Sequence, residues 1–210
     1  MARISLNTKC RLCRAEGQKL YLKGVRCNSA KCPIDKKGAV KPGMHGAKGS
    51  KKLSDYGIQL RAKQKAKRIY GIQETQFRNY YKKAKILKGL IGDNLEILIE
   101  RRLDNCLYLA GIAASRNQAK QFISHNHVYV NDKKLNISSY SVKLGDQIKL
   151  DKIIISKFSD LLPANSKDFH SPSWISVDNA KYSAKITSLP TKQDINSGIN
   201  INLIVEYYSR

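Results

Sequence analysis

The chain has 210 residues, enough for one or two modest domains with cores of their own. No apolar run approaches the length of a membrane span, and the opening MARISLNTKCRLC lacks the apolar stretch of a signal peptide, so a cytosolic chain is expected. The formal net charge is +23 and unevenly spread: residues 1–90 hold 24 Lys/Arg against 4 Asp/Glu, whereas residues 91–210 hold 15 against 12. Such a surplus repels itself in a compact domain, and a large polyanion is its natural partner. An anionic membrane is the competing partner. A helix lying on one needs a broad apolar face opposite its Lys and Arg, which the most basic helix here lacks.

The first feature in the chain is C-x2-C-x13-C-x4-C, formed by Cys10, Cys13, Cys27 and Cys32. Two close pairs of thiols suit a tetrahedral structural Zn2+, with the intervening loop folded back to close the site. An iron–sulfur cluster also uses four cysteines and stays open as the alternative. Disulfides are disfavoured in a cytosolic chain. Lys9, Arg11, Arg14, Lys19, Lys23, Arg26 and Lys31 crowd the same stretch and would offset the negative charge of a four-thiolate centre. Residues 33–53, rich in Gly, Pro and Lys, read as a loop that would be a disordered linker in solvent and an ordered basic strand when held against a polyanion. His45, within it, reads as a backbone or phosphate contact.

Helices follow. Ser54-Asp55 opens one that runs to Tyr70 and stops at Gly71, with Arg61, Lys63, Lys65, Lys67 and Arg68 around most of its surface. A second, about Glu74 to Lys88, turns Phe77, Tyr80, Tyr81 and Ala84 inward, while Arg78, Lys82, Lys83 and Lys85 point elsewhere. A third, Asn94 to Arg101, buries Leu95, Leu98 and Ile99.

The stretch from Arg101 to Leu150 organises the rest. A helix near Leu103 to Ala110 carries Leu103, Cys106, Leu107 and Ala110 on one side and stops at Gly111. Ser115, with Gln118 three residues on, forms a capping box for a second helix. That helix places Ala119, Phe122 and Ile123 inward and Arg116 and Lys120 together on another face. The period then changes to two. Val128 and Val130 alternate with Tyr129, Asn131-Asp132-Lys133-Lys134 reads as a turn, and Leu144-Gly145-Asp146-Gln147 reads as a second turn into Ile148 and Leu150. Cys106 reads as a small core residue. His125 and His127 read as surface polar residues on one strand face.

Beyond Leu150, Ile153-Ile154-Ile155 reads as a buried strand or its end, residues 156–172 as a short helix plus loop, and Trp174 to Val177 as a strand. The alternation of Ile199, Ile201, Leu203 and Val205 reads as a half-buried strand. No GxxxxGK[ST], GxSxG or HExxH is present, and there is no internal repeat.

RLDNCLYLAG and SRNQAKQFISHNHVYVND resemble the RNA-binding domain named after the fourth protein of the small ribosomal subunit. That domain also occurs in some pseudouridine synthases and tyrosyl-tRNA synthetases. CRLCRAEGQKLYLKGVRC, PGMHG, LSDYGIQLRAKQKAKRIYGI, QFRNYY and the final LIVEYYSR, in that order, extend the resemblance to nearly the whole chain and to the family of bacterial small-subunit ribosomal protein four. It is weakest over residues 151–195.

The resemblance implies a non-catalytic α+β protein. Residues 1–53 would be a basic arm with the cysteine metal site, and 54–100 a helical domain joined by segment 196–210. Residues 101–195 would be an RNA-binding domain of two helices and a small antiparallel sheet, with its core in 101–165 and the rest an extension. Such proteins bind small-subunit (16S) rRNA directly and early, at a junction of helices in its 5′ domain, and so nucleate assembly. They sit near the mRNA entrance beside ribosomal proteins three and five of the small subunit. Contact with protein five affects decoding accuracy, and some members repress their own mRNA. The cysteine site varies among members. Carried onto this chain, Lys48, Lys51 and Lys52 would line the mRNA entrance. Arg3, Lys9, Arg11, Arg14, Arg26, Arg61, Lys63, Lys65, Lys67, Arg68, Arg116, Lys120, Lys133 and Lys134 would meet rRNA.

Two rivals come from other classes. An RNA-modifying enzyme of pseudouridine synthase type needs a catalytic carboxylate in a domain of its own, yet Glu16, Asp35, Asp55 and Glu74 are the only acids before residue 90 and stand in no recognisable motif. A zinc-containing DNA-binding regulator needs a recognition helix and a dimerisation stripe, and the chain shows neither.

Overall fold

The computed structural model describes residues 9–48, 52–158, 162–163, 169–178, 181–195 and 198–210. Packing divides the chain into two compact units, Met1–Phe77 with Ile199–Arg210, and Arg78–Gly198. This division by contacts runs through a helix and differs from the segments 1–53, 54–100 and 101–195 drawn from sequence character.

The first unit opens with three short helices: α1 (Lys9–Glu16), α2 (Val25–Asn28) and α3 (Pro33–Lys37). The third lies where only loop is expected. Pro33 stands at its first turn, where the missing N–H costs nothing and the fixed φ suits a helix. Cys13, Leu20 and Leu22 make a small core with Leu12, Ile34 and Ile69 around it. The basic loop is held rather than loose: the Arg14 guanidinium donates to the carbonyls of Val40 (2.9 Å) and Lys41 (3.3 Å). At Gly46 a Cβ would stand 1.8 Å from the Lys41 carbonyl oxygen, so only glycine allows this close approach.

Helix α4 (Asp55–Tyr70) is capped as its sequence predicts. The Ser54 side chain accepts from the Gly57 N–H, and Gly71 ends the helix in the left-handed region at φ 61°. Helix α5 (Glu74–Ile86) buries Phe77, Tyr81 and Ala84 on one stripe, with Tyr80 half-buried.

The second unit continues with α6 (Ile91–Glu100), which buries Leu95 and Ile99 and leaves Leu98 half-buried, then α7 (Leu103–Leu109) and α8 (Arg116–Ser124). Strands β1 (Val128–Val130), β2 (Lys133–Lys134) and β3 (Gln147–Leu150) follow, then α9 (Lys152–Phe158), β4 (Ile175–Asp178) and β5 (Ser183–Ile186). The five strands form one antiparallel sheet in the order β2-β1-β3-β5-β4. Val130 faces Ile148 and Ile148 faces Ala184 across the ladders, so one apolar row runs over the sheet. That row packs on Leu103, Cys106, Leu107, Ala119, Phe122 and Ile123 of α7 and α8, and Trp174 joins the same core.

Four further expectations change. The turn after β1 is only Asn131-Asp132, both at positive φ (50° and 63°), as a tight two-residue hairpin needs; Lys133 and Lys134 already pair with Val130 and Tyr129. Ile153–Ile155 lies in helix α9, not a strand. The Asp151 carboxylate accepts from the Ile153 N–H at 3.3 Å and starts that helix, a polar signal that outweighs three β-branched residues. Strand β5 was not expected. The fourth change is the last segment, which forms helix α10 (Ile201–Ser209) in the first unit, not a strand. Ile201, Ile204, Val205 and Tyr208 also recur at helical spacing, and the fully buried Ile204 takes that stripe inward.

Helix α10 packs on α4. Tyr207 lies 5.7 Å from Tyr56 and beneath the Lys63 ammonium, 4.1 Å from the ring centroid. Tyr208 stacks on Phe77, and Gln59 donates to Glu206 at 3.0 Å.

Candidate nucleic-acid interface

Helices α7 and α8 place the expected pair Arg116 and Lys120 on one face, but neither is a bare surface charge. The first turn of α8 forms because Ser115 accepts from the Gln118 N–H; the Gln118 side chain reaches back to the Ala114 N–H (2.8 Å), one residue short of a strict capping box. Lys120, 24% exposed, lies 3.4 Å from the Asp104 carboxylate, which is 1% exposed. Burial lowers the Lys120 pKa, Asp104 opposes that, and Arg102 and Arg116 add to it. Arg102 is itself buried. It forks onto Asp104 through Nε (3.0 Å) and Nη2 (2.8 Å) and donates from Nη1 to the Tyr80 hydroxyl (2.8 Å). Arg116 donates from Nε to Asn105 Oδ1 at 2.8 Å and lies over the Tyr108 ring, 4.4 Å from its centroid.

On the sheet, Lys133 and Lys134 are exposed in edge strand β2, with the Lys134 ammonium 5.6 Å from the Tyr129 ring centroid. The hairpin beneath them is tied down by the buried Asp146. It accepts from the Asn131 side-chain amide (2.8 Å), the Lys143 N–H (2.8 Å) and the Tyr140 hydroxyl (3.2 Å). His127 Nδ1 lies 3.7 Å from Asp151, and its ring stacks near that of His125, which caps the C-terminal end of α8 rather than starting the strand.

In the first unit, two acids gather the cations of α4. Glu16, at the end of α1, accepts from Arg61 (2.8 Å) and from Arg68. Glu74, at the start of α5, accepts from Lys63 (2.9 Å), Lys67 (2.6 Å) and the Tyr208 hydroxyl (2.8 Å). Burial pushes the Glu74 carboxyl up, but the hydrogen bonds from Lys67, Lys63 and Tyr208 outweigh it and hold the pKa down at about 2. Four of the five basic residues expected to face rRNA from α4 therefore fasten α1, α5 and α10 onto it. Lys65 is half-buried.

The four cysteines of the arm line one small cavity, together with Lys19, Lys23 and Arg26. Burial raises the Cys13 thiol pKa, the Leu20 N–H lowers it, and the neighbouring Cys27, Cys10 and Cys32 raise it further. The Lys23 N–H donates to Cys27 Sγ at 3.3 Å. The donor chemistry fits a thiophilic ion. Among the described residues, however, no three His, Cys, Asp or Glu groups are gathered closely enough to hold one, so the thiols share a cavity without forming a ligand cluster.

Of the remaining expected contacts, Arg11, Arg26, Lys48 and Lys52 are exposed. Lys9 is buried, its pKa lowered by burial and by Lys23 nearby, and Arg14 is spent on the loop. Arg3 and Lys51 lie outside the described residues. Sequence reasoning did not assign Arg78, Lys82 and Lys85 to the interface, yet all three are exposed on α5. Their spacing of four and three puts them on one helical face, a signal that was available. The acids Glu16, Glu74 and Asp104 were also missed as organisers, since only folding brings them to their partners.

Among the described residues no helix is long and apolar enough to cross a membrane. Comparison with known proteins gives two family matches: residues 6–100 match the ribosomal protein S4/S9 N-terminal domain, and residues 101–148 match the S4 domain. The chain is 48% identical over 203 residues to small ribosomal subunit protein uS4 of Halothermothrix orenii, covering 96% of each chain. It is 47% identical over 214 residues to the uS4 protein of Acetivibrio thermocellus, covering the whole of both. The uS4 protein of Caldicellulosiruptor bescii is 48% identical over 203 residues, again with 96% of each chain covered.

Proposed function

We propose that this chain, which belongs to the small ribosomal subunit protein uS4 family, is a structural, rRNA-binding constituent of the small ribosomal subunit and catalyses nothing. The observation that carries this reading is the end-to-end similarity, 96–100% of both chains at 47–48% identity. The charge agrees with it. Of the +23 formal charge, +20 lies in residues 1–90, and phosphate contact with neutralising Lys and Arg is what a folded rRNA rewards.

Binding works in two parts. In the first unit, Arg11, Arg26, Lys48 and Lys52 meet phosphates from an arm and loop that Arg14, Glu16 and Gly46 hold in shape. In the second unit, Lys133, Lys134, Arg116 and Lys120 meet backbone and shape features of RNA, not a base code. Little ordering entropy remains to be lost, because hydrogen bonds within the protein already fix the framework.

Finer roles follow the family resemblance. The chain docks early in the rRNA 5′ domain and nucleates assembly there. Lys48 and Lys52 face the mRNA entrance. Small-subunit ribosomal proteins three and five are the neighbours, and contact with protein five tunes decoding accuracy. Cys10, Cys13, Cys27 and Cys32 would hold a structural zinc ion by drawing together around the cavity they already share. When bound, the ion supplies a crosslink that fixes the arm. Metal analysis of the purified chain, repeated on Cys13→Ser, tests this: one zinc per chain is expected in the first and none in the second.

Co-sedimentation tests the whole reading. The chain is expected in stoichiometric amount with small subunits after a high-salt wash. An RNA-modifying enzyme or a regulator would be substoichiometric and washed away, and that result would refute the assignment.

A further inference from the structure

Asp104 and Asn105 are consecutive on α7, and both are 1% exposed. Each reaches one of the two cations that α8 presents a single helical turn apart. Asp104 lies 3.4 Å from Lys120, and Asn105 accepts from Arg116 at 2.8 Å. Both anchors are fixed from behind. Arg102 forks onto Asp104 with two hydrogen bonds, and Asn105 donates to the Glu100 carbonyl at 2.9 Å and to the Glu100 carboxylate.

The charges make this more than a salt-bridge cluster. The buried Arg102 already neutralises Asp104, so holding Lys120 there does not cancel its positive charge. Asn105 is neutral and adds no charge of its own beside Arg116, while its amide and the Tyr108 ring fix the plane of the guanidinium. An acid in place of Asn105 would hold Arg116 as well but would add a negative charge beside it.

We propose that Asp104 and Asn105 are positioning residues for RNA binding, each setting the place of one cation on α8 without touching RNA. The inference rests on the reading of Arg116 and Lys120 as rRNA contacts. A free lysine or arginine loses rotamer freedom on docking, and a held one has already lost it. The pair also fixes the spacing between two cations, which matches one arrangement of phosphates and not others.

Two double-mutant cycles on the full chain, read as the dissociation constant for purified small-subunit rRNA, test this. One pairs Asp104→Asn with Lys120→Ala, the other Asn105→Ser with Arg116→Ala. Alone, each positioning variant is expected to weaken binding roughly three- to tenfold, the cost of ordering one long side chain. In the background that lacks its cation, the same change is expected to have almost no further effect. A residue that merely held the fold would lose the same factor in both backgrounds, and that additivity would overturn the inference. Lys120→Ala and Arg116→Ala alone must weaken binding. If neither does, the contact reading itself falls and takes the inference with it. Asp104→Asn leaves Arg102 buried without its partner; should it fail to fold, the cycle on Asn105, which removes no charge, decides.

Discussion

Glu74→Gln tests how the first unit is fastened. Gln is nearly isosteric and can still accept a hydrogen bond, so the change removes charge and little else. The carboxylate receives Lys63, Lys67 and Tyr208, and its pKa falls from 4.5 to about 2. At about 1.36 kcal/mol per pKa unit this corresponds to roughly 3 kcal/mol. The side chain is 44% exposed, so solvent screening reduces the figure, and about 1–2 kcal/mol is expected. The sign follows from the depressed pKa. The stabilisation is present above the unfolded value of 4.5 and is lost as pH falls from there through about 2. Urea unfolding followed by circular dichroism, at pH 7, 4.5 and 3 for wild type and variant, measures it. The gap between the two should be about 1–2 kcal/mol at pH 7 and most of it should be gone at pH 3. A gap unchanged between pH 7 and pH 3, or absent at pH 7, would refute the account of Glu74 as an ionised clamp.

Other consequences are as direct. Trp174 is 1% exposed in the core of the second unit, so Trp174→Ala should cost about 3–5 kcal/mol in thermal or urea unfolding. Gly46→Ala drives a Cβ against the Lys41 carbonyl, so limited proteolysis should cut within residues 38–48 faster than in wild type. Lys133→Ala with Lys134→Ala removes two exposed cations from an edge strand. The expected result is unchanged unfolding, weaker rRNA binding and a salt dependence reduced by about one for each lysine removed.

Elements with local signals were legible. Ser54, Ser115, Gly71 and Gly111 mark helix ends through short-range hydrogen bonds and positive φ, which depend on neighbouring residues alone. Segments with two compatible periods were not. Ile201 to Tyr208 satisfies both alternation and a helical stripe, and the aromatic face of α4 selects the helix. Ile153–Ile155 has β-branched content, but Asp151 supplies the cap that makes it helical. At the site, the basic residues could be found by type, but their state could not. Arg61, Lys63, Lys67 and Arg68 look alike in sequence to Arg11 and Arg26, yet Glu16 and Glu74, brought in by folding, occupy the first group. A charge run thus gives the partner's sign, while the acids decide which cations remain to meet it.

On this reading the chain recognises one folded RNA rather than negative charge in general. Binding of the purified chain to small-subunit rRNA and to an unrelated structured RNA of equal length, over a salt series, tests it most directly. A preference for the rRNA 5′ domain that survives at high salt is expected, since shape and held cations add to the electrostatic attraction. Equal affinity for both RNAs, collapsing together as salt rises, would contradict it.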